Sequence, residues 1–136
     1  MSGEASFQLS IPGTMPRSLG YSQIATVSSG RIIFIAGQVA LDVNGKVVGQ
    51  GDIQVQARQV FENLRAALEY VGGSFRSVIK LNSYFIDISG LASFRTVRDD
   101  YVDIANPPVS TAVEVPRLFR PEFLLEVEAV AVIKND

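Results

Sequence analysis

The chain has 136 residues, 47% of them apolar, with no cysteine, no histidine and a formal charge of −2. That length suits one domain over residues 1–136, with an N-terminal arm over 1–18, and the apolar content excludes the disordered class. Disulfides, thiolate or Ser-His catalysis and His/Cys zinc sites are excluded, which leaves carboxylate, tyrosine, lysine or water to carry a proton.

The arm contains Pro12 and Pro16 and the alternating stretch Phe7-Gln8-Leu9-Ser10-Ile11, expected as an edge strand or strap. Residues 24–27 and 31–35 are β-rich and are separated by Ser28-Ser29-Gly30, which predicts a hairpin. Ile32-Ile33-Phe34-Ile35 is apolar without alternation, the pattern of a strand covered on both faces. Asn44-Gly45 is a second tight-turn signal. After Asp52, a natural N-cap, Ala57, Val60, Phe61, Leu64, Leu68 and Val71 form a one-faced helical stripe that Gly72-Gly73 ends. A strand over 78–86 follows. Leu91, Phe94, Val97, Tyr101 and Ile104 then predict a helix over 91–104, stopped by Asn106-Pro107-Pro108. Strands over 110–115 and 124–133 complete the chain.

The order β-β-(β)-α-β-α-β-β predicts an α+β layer, a single sheet with two helices packed on one face. The other face would be left bare, so self-association is expected. Charges are scattered without a block of one sign, and neither nucleic acid nor an anionic membrane is expected as a partner. No apolar run reaches the roughly 18 residues of a membrane span. The N-terminus also lacks the order of a signal peptide, so a cytoplasmic protein is expected.

Five strings carry a resemblance: Gly20-Tyr21-Ser22-Gln23, Ala36-Gly37-Gln38, Gln56-Ala57-Arg58-Gln59-Val60 with Asn63-Leu64, Ser110-Thr111-Ala112-Val113-Glu114-Val115, and Glu126-Val127-Glu128-Ala129. Collinear over about 20–132, they resemble the Rid family, the reactive intermediate deaminases of the RidA/YjgF type. The resemblance implies a chorismate-mutase-like fold and a homotrimer with a barrel-like centre and clefts between subunits. It further implies a small-molecule ligand, no cofactor and no metal. Active members hydrolyse enamines and imines such as 2-aminoacrylate to ketoacid and ammonia. In them an arginine immediately before the Ser-Thr strand clamps the substrate carboxylate, a task suited to the guanidinium fork. Here that position is Val109, which has no donor and counts against typical 2-iminoacid deamination.

By the same resemblance Tyr21 lies against ligand, and Gly37 and Gln38 form a turn that approaches it. Thr111 lines the cleft, and Glu126 orients or activates water. Three of these have a plainer alternative: a rim aromatic for Tyr21, a strand-end bulge held by the Gln38 amide, and a structural carboxylate paired with Arg117 or backbone N–H groups for Glu126. Arg98 is the candidate to replace the missing cation, against a solvated helix-face charge. Arg58, Arg65 and Lys80 are expected as surface charges. The functional expectation is a hydrolase of small imines or enamines; the alternative is a trimer that binds a small molecule or a partner without turnover. Ribonuclease activity, attributed to some relatives, is disfavoured because there is no histidine and no basic patch.

Overall fold

The computed structural model describes residues 5–136. Six strands and two helices appear in the order β1 (Ser6–Ser10), β2 (Ile24–Ser29), β3 (Arg31–Gln38), α1 (Ile53–Tyr70), β4 (Val78–Phe85), α2 (Leu91–Arg98), β5 (Val109–Glu114) and β6 (Leu125–Ile133). β3, β6, β4 and β5 form a mixed four-stranded sheet in that order, antiparallel except for the parallel β4–β5 pair. The expected edge strand of the arm is β1, which pairs antiparallel with β2.

The hairpin expected between β2 and β3 is corrected. β2 pairs with β1, and β3 pairs with β6. Gly30, at φ +121°, is a single-residue kink rather than a two-residue turn, so the chain passes from one ladder into the other. The expected single sheet is accordingly a four-stranded sheet plus a separate β1–β2 ribbon.

Asp52 caps α1 through its side chain, which accepts from the Gln54 and Val55 amides. At the other end Gly72, at φ +83°, lets the Gly73 amide donate to Leu68 O at 2.8 Å, a Schellman closure. The apolar stripe of α1 is buried from Ala57 to Leu68, and Phe94 and Val97 of α2 join it over Leu81, Phe85, Leu125 and Val127. α2 ends at Arg98, not near Ile104. Beyond it the Asp100 and Tyr101 amides donate to carbonyls only three residues back, which tightens the backbone into turns. Those turns still seat Val102 in the core and lay Tyr101 on Phe61, with ring centroids 5.1 Å apart.

Both helices cover one face of the sheet. On the other, Phe34 is 79% exposed and Ile32 is 52% exposed. The expectation that β3 is covered on both faces therefore fails within one chain. Gln56 is fully buried and holds two loops: its amide donates to Gly49 O at 3.2 Å and Glu122 O at 2.9 Å, and its oxygen accepts from the Leu124 amide at 2.9 Å.

Candidate functional site

One group of the expected site residues gathers where β3 and β6 meet. Ile35 pairs with Ala129 and Gln38 with Val127, so Ala36 and Gly37 together oppose Glu128 in a β-bulge. The Gln38 amide donates to Ala36 O at 2.9 Å and is spent on holding that bulge. A Cβ on Gly37 would lie 2.8 Å from both Cγ and Cδ of Glu126, and nearer still to its Oε2. The Glu126 side chain is therefore folded over the bare α-carbon of Gly37.

Glu126 has no hydrogen bond or ion pair among the described residues, so the pairing with Arg117 weighed from sequence is absent. Its carboxyl is pushed above the usual range, first by burial and then by the charge of Glu128. Glu128, two residues along on the same face, is committed. The Tyr84 hydroxyl donates to its Oε1 at 2.6 Å and the Asn82 amide at 3.3 Å. That bond to Glu128, with burial second, raises the Tyr84 phenol above its ordinary value.

The second group sits at the free edge of β5. Ser22 forms a parallel bridge to Val109; its amide donates to Pro108 O at 3.0 Å and its hydroxyl to Pro107 O at 2.7 Å. These bonds hold the half-buried Tyr21 beside β5. Arg98 closes the same corner. A Cβ on Gly20 would lie 3.4 Å from its Cζ and nearer to Nη2, and Gly20 sits at φ +77°. Arg98 is only 6% exposed, which corrects the reading of a solvated helix-face charge. Its Nε and Nη2 both donate to Asp99 Oδ1, at 3.1 and 2.9 Å. Val109 is half-buried and shares the open face with Lys80, its register partner, while the exposed Thr111 stands opposite Asn82.

The two groups do not meet within one chain. Lys80 is the register partner of both Val109 and Val130, whereas Tyr84 is the partner of Glu126. Glu126 and Val109 are thus separated by four residues along the strands, about 13 Å, and by two strand spacings, about 10 Å. Each end carries its own group of polar side chains.

Lys80 was expected only as a surface charge, and Asn82 and Tyr84 were not singled out, although their alternation with Leu81, Ser83 and Phe85 marks one polar face of β4. They line the open face with Phe34 and Glu128, around a hollow of about 310 Å³ that Lys80 and Asn82 border. Among the described residues no cluster of His, Cys, Asp or Glu could hold a metal ion. Nor is any helix there long and apolar enough to cross a membrane.

Residues 14–133 match the model of the family described as Endoribonuclease L-PSP. A RutC family protein of Pyrococcus horikoshii is 39% identical over 117 residues, covering 85% of this chain and 90% of that protein. A 2-iminobutanoate/2-iminopropanoate deaminase of Dermatophagoides farinae is 27% identical over 122 residues, covering 88% and 91%. Among solved structures, a Rid family protein of Yersinia pestis superposes with a TM-score of 0.84 at 33% identity, covering 93% of this chain and 98% of its own.

Proposed function

This chain belongs to the Rid family, and on that premise we propose that it hydrolyses small imines or enamines in clefts completed by two copies of the chain. The observation that carries this is Glu126, a half-buried carboxyl of raised proton affinity that has no partner among the described residues and is seated over Gly37. A group of that kind accepts a proton from water and returns it. Water adds to the imine carbon as Glu126 takes its proton. Glu126 returns that proton to nitrogen, giving a carbinolamine. It then takes the hydroxyl proton and passes it to the same nitrogen as the C–N bond breaks, and a carbonyl compound and ammonia leave. An enamine enters the same route after protonation at carbon. The deaminase of Dermatophagoides farinae supports this chemistry by likeness.

Assembly follows from the separation of the two groups. Glu126, Gly37 and Gln38 of one copy would face Tyr21, Arg98 and Thr111 of the next, in a homotrimer whose sheets cover the exposed Phe34 and Ile32. Val109 supplies no donor, so the substrate either depends little on a carboxylate anchor or is held through Arg98. Non-catalytic binding of a neutral metabolite is favoured by one observation: Ala36 and Val109 are apolar and the Gln38 amide is already committed. RNA cleavage draws no support from a chain without histidine.

The test is ammonia release from imines generated in situ by an amino-acid oxidase, across acidic, neutral and basic amino acids. Turnover lost in Glu126→Gln supports the hydrolase, whereas silence across the panel with ligand binding retained supports the binder. Mixing Glu126→Gln with Arg98→Gln subunits and reassembling them tests the shared cleft. If two copies complete each cleft, about a quarter of the clefts in a random equal mixture regain both intact halves. No recovery from two separately inactive variants would place the site within one chain.

A further inference from the structure

The connection between β5 and β6, with Ile86, borders a second, open-sided cavity of about 500 Å³, within the usual ~300–1,000 Å³ range of small-molecule sites. None of Tyr21, Gly37, Gln38, Arg98, Val109 or Glu126 borders it. Its apolar wall is Phe123, fully buried, with Phe119 packed against it at 4.9 Å between ring centroids. Phe119 nevertheless remains 69% exposed. A large ring held at the rim of a cavity, with most of its surface still in water, is a ready contact for an apolar ligand body.

The walls are held in place before any ligand arrives. Pro116 and Pro121 restrict the backbone on either side of Phe119. The buried Gln56 holds Glu122 O and the Leu124 amide. Two arginines border the same space, and they differ. Arg120 is neutralised: its Nη2 is 2.8 Å from Glu122 Oε2, and its guanidinium lies 5.2 Å from the centre of the Phe123 ring. Arg117 is exposed and has no hydrogen bond or ion pair among the described residues. The cavity therefore carries one uncompensated positive charge beside two phenyl rings. By contrast, the hollow that Arg58 and Glu62 border has its charges matched, through Arg58–Asp100 and Arg65–Glu62.

From this pairing we propose that the cavity binds a small organic acid with a flat apolar body, an aryl carboxylate. Arg117 meets the carboxylate through its guanidinium fork, and the ring lies against Phe119 and Phe123. The site is separate from imine hydrolysis and stands whether or not that activity does.

The test uses the assembled full-length protein, labelled with nitrogen-15 and titrated with 3-phenylpropionate, with 3-phenylpropionamide as the neutral control. Saturable amide shifts centred on residues 117–123 are expected. Arg117→Gln should weaken binding of the acid about tenfold or more without changing that of the amide. Arg117→Lys should restore part of the loss, and Phe119→Ser should weaken both ligands. Both substituted side chains are exposed, so folding is not at stake. The proposal is overturned if no saturation occurs up to about 10 mM, if acid and amide bind alike, or if Arg117→Gln has no effect. It also falls if the shifts centre on Gly37, Glu126 or Tyr21, or if Arg117 and Phe119 are already buried against another copy in the free assembly.

Discussion

Gly37→Ala should be costly only because of Glu126. Gly37 is not among the residues in the left-handed region, so its backbone accepts alanine. The obstacle is the carboxyl: the new methyl would lie 2.8 Å from Cγ and Cδ of Glu126, well inside contact distance. Overpacking of this kind costs about 1–3 kcal/mol, and a half-buried glutamate that swings towards solvent keeps the cost near the lower end. We expect about 1.5 kcal/mol, a fall in Tm of roughly 6 °C for a chain of this size. The measurement is urea denaturation at fixed protein concentration, because self-association of the kind proposed would make apparent stability depend on concentration. A cycle with Glu126→Ala isolates the contact. In that background the clash is gone, and Gly37→Ala should cost almost nothing. If the two changes add to within about 0.5 kcal/mol, the glycine is not there for the carboxyl and the reasoning fails. Imine turnover, if present, should fall with Gly37→Ala alone, since the displaced carboxyl would no longer stand where the proposed proton transfer needs it.

The raised proton affinity of Glu126 gives a signed pH dependence. Its folded pKa lies above the unfolded value, so the native state binds this proton more tightly, and the contribution of Glu126 to stability falls as pH rises through that window. Glu126→Gln should therefore gain stability relative to wild type between about pH 4 and neutrality; a constant difference across that range would contradict the shift. Tyr84 should ionise above its ordinary value in an ultraviolet titration, and Glu128→Gln should bring the midpoint down, because the bond to Glu128 is the main cause. An unmoved midpoint would mean that the 2.6 Å contact is not held in solution. Gln56→Ala strands buried backbone groups of two loops and should cost about 3 kcal/mol or more, read as a Tm drop of roughly 10 °C. A loss under about 1 kcal/mol would show that water replaces the amide.

Local chemistry made much of this protein legible in the sequence. The stripe from Ala57 to Leu68 between Asp52 and Gly72-Gly73 predicts α1 because cap, period and stop all lie within one segment. The strands after it were readable for the same reason, through runs bounded by glycine or proline. The partner of each strand was not. The Ser28-Ser29-Gly30 signal is compatible with a hairpin or with a kink, and only the competing ladders with β1 and β6 decide between them. The end of α2 was likewise hidden, since Tyr101 keeps the helical period while occupying its core position from a turn.

For the site, the sequence by itself determined the inventory: no thiol or imidazole, a carboxylate at 126, a glycine at 37 and a valine at 109. Tertiary structure alone decided their relations. Glu126 covers Gly37 because a bulge brings β3 beneath it, Glu128 is withdrawn by Tyr84, and Arg98 is buried against Gly20. The separation of Glu126 from Val109 depends on antiparallel β4–β6 pairing beside parallel β4–β5 pairing, a property of register between distant segments. Residue type is written at each position, but proximity arises from which backbone groups pair across the sheet, and that is set by the packing of the whole chain.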